Sequence, residues 1–390
     1  MQRARRILVL TLSFGSGHVQ AARAIAREVK RHAPNAEVRL LDALADCRAP
    51  FRAGYVWPYW AMLRYAPSLW DRFSTARVKR QHEATAPARA FRFGCPKVFD
   101  TVENLDPDVI VAVEVAACEM AVIARRIGLT SAPILNVITD YEAEPIWVKP
   151  EINAFVVPDD NVRAELIGWG APPNRIVIAG IPIDSELDRV HDLKALRLRH
   201  SISDDAPIVL LMGGGMGPTR MDQVAHRLVD TKVRMNIVAV AGKDKRVFQK
   251  LKRVEPRPPV SLKVLGWTDE VPALMKAAAV LVTKPGGLTI AEAAMCSLPT
   301  VFFDPIPGAE LVNARRMVDA GAAIITINAR ETASSVVSLV HDKPLLSAMA
   351  TQAKGMARPN ARGDIARLAL KLAGASEEVS QTMIADHCED

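Results

Sequence analysis

The chain has 390 residues, more than one hydrophobic core usually supports, so we expect two domains. Hydrophobic residues make up 49% and charged residues 24% of it, which excludes disordered, collagen-like and fibrous classes of protein. The net charge of +7 is uneven, because residues 1–100 hold 18 Lys+Arg against 7 Asp+Glu, and this indicates a surface that meets phosphates of nucleic acid or lipid.

Short apolar runs that alternate with helical patterns predict β-strands along the whole chain. The first half holds Ile7–Leu12, Val38–Leu41, Val109–Val113, Ile134–Ile138, Ala154–Val157 and Ile176–Ile178. The second half holds Ile208–Met212, Ile237–Val240, Leu262–Leu265, Val280–Val282, Val301–Phe303 and Ala323–Ile327. Apolar strands separated by helices are typical of parallel sheets covered on both faces. We predict an α/β fold of two Rossmann-like, doubly wound domains that face each other across a cleft.

Domain boundaries follow from the point at which the strand pattern restarts. An N-terminal domain is predicted over residues 1–183, and the polar segment 184–205 is interpreted as a linker region. A C-terminal domain would span 206–358, and 359–390 would form a last helix and a tail.

The chain shows no signal for export or for membrane spanning. Its most apolar long region, 109–123, is interrupted by Glu114 and Glu119, which disfavours a transmembrane helix. The basic start and the apolar run after it resemble a signal peptide, but the run leads into Gly-Ser-Gly-His and a helix pattern instead of a cleavage site. Five cysteines without CxxC or metal-ligand spacing fit reduced thiols. We therefore expect a cytoplasmic protein.

One segment, 51–99, departs from the α/β pattern. It holds 11 of the chain's 20 aromatic residues and nine Lys/Arg, but only two acids. Tryptophan and tyrosine interleaved with arginine suit a surface that lies in a lipid interface. The alternatives are aromatics that pack on the domain core and a surface for single-stranded nucleic acid. We favour the lipid surface, whose candidate residues are Trp57, Tyr59, Trp60, Tyr65 and Trp70.

The first strand is followed by the glycine-containing loop 13–18, which ends in His18. As a dinucleotide fingerprint this loop is poor, because Gln20 stands where a third glycine or alanine is expected. A helix is predicted over Val19–His32, and the positive end of a helix disfavours the imidazolium form. His18 would then be neutral, as a general base must be, although a helix cap or polar contact is the alternative role.

Two glycine-rich turns follow strands of the second half. The turn 213–217 (GGGMG) lacks the Lys-Ser/Thr of a P-loop, which gives nucleotide hydrolysis no support. In the run 283–292 (TKPGGLTIAE), a strand ends, the chain turns, and a helix begins near Leu288 with free N–H groups that suit a diphosphate. Glu292 could bind two ribose hydroxyls or merely complement the helix dipole. No HExxH, Cys–His cluster or DxD occurs, so we predict neither a metal nor a cofactor.

Seven motifs, in order along nearly the whole chain, resemble those of one group of GT-B glycosyltransferases. This group holds the monogalactosyldiacylglycerol synthases and the processive diacylglycerol glucosyltransferases, and more distantly the peptidoglycan N-acetylglucosaminyltransferase that makes lipid II. The motifs are FGSGHVQAA (14–22), VITDYEAEPIWV (137–148), AGIPI (179–183), VAGK (240–243), VLGWTDEVPALMKAA (264–278), VTKPGGLTIAEA (282–293) and PIPGAELVNARRMVDAGAA (305–323). Segment 51–99 stands where this group has its acceptor-binding, membrane-associating region.

The resemblance implies a role for each matching residue. His18 matches the histidine proposed as general base toward the acceptor hydroxyl, and Gly17 and Asp140 would be acceptor-site residues. The donor-binding residues would be Gly213, Gly214, Gly215 and Lys243 in the nucleotide pocket, Leu265, Gly266 and Trp267 along the uracil, Gly286, Gly287, Leu288 and Thr289 on the diphosphate, Glu292 on the ribose, and Ala309, Glu310 and Asn313 along the sugar.

The implied activity is an inverting transfer of a hexose from a UDP-sugar to diacylglycerol or a glycosyl-diacylglycerol. The implied enzyme is peripheral on the anionic inner face of the cell membrane and binds no nucleic acid. Ala309 replaces the usual glutamine of the lipid synthases, and Asp184 stands where many relatives have arginine, so contacts to the sugar or phosphates could differ. The alternatives are a soluble GT-B enzyme (a UDP-sugar epimerase or small-molecule glycosyltransferase), another lipid-acceptor glycosyltransferase, an NAD-dependent oxidoreductase and an inactive binding module.

Overall fold

The computed structural model describes residues 3–13, 15–65, 87–213, 219–305 and 308–374, without the side chains of 59, 60, 63, 64 and 309. Of the predicted site residues, Gly214, Gly215 and Trp70, and the side chains of Tyr59, Trp60 and Ala309, therefore lie outside the described part. The chain divides into two compact units, Met1–Asp184 with Arg358–Asp390, and Ser185–Ala357.

The first unit contains a six-stranded parallel sheet in the order β2-β1-β3-β4-β5-β6. Its strands are β1 (Arg6–Thr11), β2 (Glu37–Asp42), β3 (Val109–Val113), β4 (Ile134–Val137), β5 (Ile152–Val157) and β6 (Ile176–Ile178). Its first helices are α1 (Ser16–His32), α2 (Ala49–Tyr65), α3 (Ala88–Gly94), α4 (Pro96–Leu105), α5 (Val115–Arg126) and α6 (Asp160–Gly168), with 3-10 turns at Pro145–Trp147 and Pro173–Arg175. Every residue of β3 is buried, because helices cover both faces of the sheet.

The second unit repeats this architecture with the strand order β12-β11-β10-β7-β8-β9. The strands are β7 (Ile208–Met212), β8 (Met235–Val240), β9 (Val260–Leu265), β10 (Val280–Thr283), β11 (Thr300–Phe302) and β12 (Ala323–Ile325). The helices are α7 (Leu193–His200), α8 (Met221–Asp230), α9 (Lys245–Lys252), α10 (Val271–Ala277), α11 (Gly287–Met295), α12 (Ala309–Asp319), α13 (Ala329–His341) and α14 (Lys343–Gly355), after a 3-10 turn at Ser185–Asp188.

All twelve predicted strands are present, each with both ends within two residues of the prediction, and the predicted α/β class of two Rossmann-like domains is confirmed. Helix α1 begins at Ser16 instead of Val19. The loop before it already ends at Gly15, whose positive φ of 137° is a conformation that glycine adopts readily. The segment 184–205, interpreted from the sequence as a linker region, contains a 3-10 turn and α7, and it groups from Ser185 onward with the second unit.

The last described helix, α15 (Ala361–Leu372), belongs to the first unit and packs against α1. Glu28 of α1 is buried at this contact, where its carboxylate accepts hydrogen bonds from Arg31, and Arg362 of α15 lies 3.5 Å away. The hydrogen bond from Arg31, aided by the positive charges of Arg362 and His32, lowers the pKa of Glu28 against the opposing effect of burial. The chain thus returns to its first sheet after completing the second.

The described aromatics of segment 51–99 fall into two sets. Phe51, Tyr55 and Phe91 pack on one another with ring centroids 5.4–6.1 Å apart and adjoin the core of the first unit. Trp57 and Tyr65 of α2 and Phe93 of α3 are instead 70%, 77% and 64% exposed. Packing on the core therefore accounts for only part of this aromatic segment.

Candidate functional site

The first candidate site lies at the carboxyl edge of the first sheet, where the strand order reverses beside β1. Such a reversal point is where open α/β sheets bind ligands. The loop after β1 leads through Gly15 directly into α1, which has no side-chain cap and no acid in its first turn. The first N–H groups of α1, including that of Gly17, can therefore face a ligand.

His18 is the titratable group at this helix end. Its Nδ1 shares a hydrogen bond of 2.7 Å with Oγ1 of Thr139, which is buried just beyond the end of β4. Burial lowers the pKa of His18 below its ordinary value, and the negative charge of Asp140 opposes this shift without reversing it. The imidazole is therefore neutral at pH 7, with one nitrogen oriented by Thr139 and Nε2 left as the nitrogen that can accept a proton.

The second candidate site lies at the corresponding reversal point of the second sheet, between the paired strands β7 and β10. Gly213 follows β7, and a Cβ there would come within 2.7 Å of Met221 Sδ and 2.9 Å of a Thr219 methyl carbon. A larger residue here would force these side chains to shift. The turn after β10 leads to Gly286 at the start of α11, and β10 is paired with β7 in this sheet.

Helix α11 opens without a side-chain cap and without an acid in its first turn, so the N–H groups of Gly287, Leu288 and Thr289 are available to an anion. Asn313 is fully buried, and its amide donates a 3.2 Å hydrogen bond to the carbonyl of Pro285. This hydrogen bond supports the turn that precedes α11. Glu292 on α11 is half-buried.

The other predicted donor residues follow strands of the same sheet. Leu265 ends β9, and its carbonyl accepts a 2.9 Å hydrogen bond from the amide of Ala241, which joins the loops after β8 and β9. Lys243 is exposed, Gly266 is half-buried and Trp267 is 67% exposed. Glu310 lies half-buried in the first turn of α12, after β11. Because the strands are parallel, all these loops leave the same edge.

Sequence reasoning missed four residues that the structure brings to these two edges. Thr139 adjoins the predicted Asp140, and Lys284 directly precedes the predicted glycine turn. Arg220 and Asp304, 84 positions apart, pair through the arginine Nε at 2.7 Å and its backbone amide at 3.0 Å. Position within a motif could have indicated Thr139 and Lys284, but nothing in the sequence indicates the Arg220–Asp304 pair.

The described residues lack two features. Among them, no group of three or more His, Cys, Asp or Glu side chains is placed to hold a metal ion. No helix formed by these residues combines the length and apolar character needed to cross a bilayer.

Family models of two glycosyltransferase groups match the chain, one over most of each unit. Residues 18–183 match the family model of monogalactosyldiacylglycerol (MGDG) synthase, and residues 208–366 match the glycosyltransferase family 28 C-terminal domain. A processive diacylglycerol beta-glucosyltransferase of Bacillus licheniformis is 29% identical over 91% of this chain and 92% of its own length.

Solved structures share the fold at lower identity. Acinetobacter baumannii MurG superposes with a TM-score of 0.60 at 17% identity, over 94% of this chain and 99% of its own. A UDP-GlcNAc 2-epimerase from Neisseria meningitidis bound to UDP-GlcNAc gives a TM-score of 0.62 at 12% identity, over 94% of this chain and 100% of its own. These two likenesses show the GT-B fold.

Proposed function

Because the chain belongs to the group of GT-B glycosyltransferases that holds the MGDG synthases and the processive diacylglycerol glucosyltransferases, we propose that it glycosylates a diacylglycerol lipid. It would transfer a hexose from a UDP-sugar to the hydroxyl of diacylglycerol or a glycosyl-diacylglycerol, with inversion at the anomeric carbon. The observation that carries this proposal is the hydrogen bond by which Thr139 orients the imidazole of His18, in the unit that matches the synthase family. Burial also lowers the pKa of His18, which favours the neutral form that a base needs.

The second unit would bind the donor. The uncapped N-terminus of α11 supplies N–H groups and a helix dipole for the diphosphate, and Glu292 one turn further along could bind the ribose. A UDP-sugar is also the ligand named for the epimerase that shares this fold. Glu310 and the segment that contains Ala309 would then lie along the sugar.

The proposed chemical step requires one base and one stabilised leaving group. Nε2 of His18 accepts the proton of the acceptor hydroxyl as its oxygen forms a bond to the anomeric carbon. The bond from that carbon to the diphosphate oxygen breaks at the same time, and its electron pair leaves with UDP. The N–H groups of α11 stabilise the negative charge that develops on UDP.

Vesicles that contain diacylglycerol, incubated with a panel of UDP-sugars, test this proposal directly. We expect UDP release together with a lipid product whose mass has grown by one hexose, and both should be about 100- to 10,000-fold slower with the His18→Ala variant. Conversion of a UDP-sugar without any glycolipid would support the epimerase or the small-molecule enzyme instead. The panel also identifies the sugar that is transferred. This matters because Ala309 replaces the usual glutamine of the lipid synthases.

We further propose that α2 and α3 hold the enzyme at the surface of the membrane that contains its acceptor. Exposed Trp57 and Phe93 would enter the headgroup region, where aromatic rings are favoured. The guanidinium group of Arg48 lies 4.4 Å from the centroid of the Phe93 ring, and Arg52 and Arg92 are also exposed. These cations would bind anionic headgroups. The enzyme would thus be peripheral on the inner face of the cell membrane.

Replacing Trp57 and Phe93 with serine should weaken binding to anionic vesicles, by about tenfold for each ring removed from the interface. Co-sedimentation at several lipid concentrations measures this change. Leu198→Ser is the matched control, because Leu198 is an 83% exposed apolar side chain in the second unit. Equal losses for all variants, or none for any, would contradict the assignment of this surface.

A further inference from the structure

Lys284 is a buried cation that the proposed reaction has not yet used. It follows β10 directly, one residue before Pro285, and is only 3% exposed. Its ammonium group has no ion-pair partner among the residues that the structure describes. A buried charge is costly unless it is paired, so a lysine kept in such a place indicates an anion that arrives with a ligand.

Two carboxylates attract the charge of Lys284, but their attraction does not offset the cost of burying it. Glu310 and Asp304 both attract the ammonium form of Lys284, yet burial dominates and lowers its pKa. Asp304 is already bound to Arg220, whose backbone amide donates at 3.0 Å and whose Nε donates at 2.7 Å. Its negative charge is therefore largely balanced without Lys284.

Two hydroxyl groups at the ends of β7 and β10 also lack a hydrogen-bond partner among the described residues. They are Oγ1 of Thr283, the last residue of β10, and Oγ1 of Thr219, in the loop after β7, and both are buried away from any donor or acceptor of the described part of the chain. Strands β7 and β10 are neighbours at the point where the strand order of this sheet reverses. Buried polar groups without partners are rare, and several together at a ligand-binding edge indicate a polar ligand.

We propose that Lys284 is a catalytic residue whose ammonium group contacts the diphosphate of the bound UDP-sugar and balances the charge of UDP as it leaves. This inference rests on the proposed function and adds a full positive charge to the partial charges of the α11 N-terminus. No proton moves in this role. The electron pair of the broken bond stays on the diphosphate oxygen, and the ammonium group lowers the energy of that developing charge.

Binding of UDP and of uridine to the full-length protein, followed by calorimetry and ligand-observed NMR, tests this assignment. Lys284→Met should weaken UDP binding by about 10- to 100-fold, the effect of losing a charge-assisted contact, and leave uridine binding unchanged. Lys284→Arg should retain most of the UDP affinity because it keeps the charge. Lys354→Met is the matched control, since Lys354 is an exposed lysine at the end of α14.

The possible outcomes separate the two proposals. Wild-type protein that binds neither UDP nor any UDP-sugar overturns both the proposed function and the role of Lys284. Wild-type protein that binds UDP, with equal affinity in Lys284→Met, overturns the role of Lys284 alone. A Lys284→Met variant that loses uridine binding along with UDP binding has a structural defect, which overturns the proposed role of Lys284. A lowered unfolding temperature in both Lys284 variants overturns that role in the same way.

Discussion

Replacing His18 with alanine is expected to lower turnover by about 100- to 10,000-fold, the usual contribution of a positioned acid–base group. The loss should fall on kcat, because the imidazole acts when the acceptor hydroxyl loses its proton. Release of UDP in the presence of diacylglycerol vesicles measures it. Affinity for UDP should not change, since the proposed donor residues lie in the other unit. Unchanged turnover would remove His18 from the mechanism.

The pH profile gives this prediction a second readout. A general base works in its neutral form, so activity should fall only as pH drops through the pKa of the base. Since the pKa of His18 lies below its ordinary 6.5, the wild type should hold its kcat/KM from neutral pH to below 6.5 and lose it in more acidic solution. The residual activity of His18→Ala should lack this acidic limb.

Thr139→Val is the matched variant for the orientation of the imidazole. It keeps the side-chain shape but removes the hydroxyl that bonds Nδ1 at 2.7 Å. We expect a smaller loss than in His18→Ala, about tenfold, because the base remains but is less well oriented. A larger loss in Thr139→Val than in His18→Ala would contradict this assignment of roles.

Replacing Glu292 with alanine is expected to weaken UDP binding by about 10- to 100-fold, because hydrogen bonds from two ribose hydroxyls to a carboxylate would be lost. Calorimetric titration with UDP measures the change. Glu292→Gln should retain part of the affinity, since an amide oxygen still accepts. Glu255→Ala, at an exposed acid of the same unit, should bind UDP normally.

A modified ligand tests the ribose contact itself. Wild-type protein should bind 2′-deoxy-UDP more weakly than UDP, whereas Glu292→Ala should bind the two with nearly equal affinity, because the carboxylate that distinguishes them is gone. If the preference for UDP persists undiminished in Glu292→Ala, the carboxylate does not contact the 2′-hydroxyl, and its alternative role as a complement to the helix dipole is favoured.

The positions of the glycine turns could be predicted from the sequence, but the side chains that support these turns could not. The run TKPGG was correctly assigned to a strand end followed by a helix, because proline, glycine and apolar periodicity are local signals. The sequence did not indicate that the amide of Asn313 donates a hydrogen bond to the carbonyl of Pro285. That contact joins residues 28 positions apart and depends on how α12 packs against the turn.

The aromatic segment 51–99 also shows which part of a prediction the sequence supports and which part needs the structure. Composition indicated a lipid surface but could not tell which rings face outward. In the structure Phe51 and Phe91 pack together with the core, while Trp57 and Phe93 are exposed. The difference depends on the side of α2 or α3 from which each ring projects, and a weakly amphipathic helix with Pro58 inside it gives the sequence little periodicity to interpret.

The twelve strands, their parallel class and the loops that carry the candidate chemistry could be predicted from local sequence, because runs of apolar residues and helix-opening glycines act over a few neighbouring positions. Which groups meet depends instead on how the folded chain packs. His18 and Thr139 are 121 positions apart, Arg220 and Asp304 are 84 apart, and α15 returns to α1 from the end of the second unit. The protonation state of His18 and the burial of Lys284 depend on such distant neighbours, so they could not be obtained from local sequence.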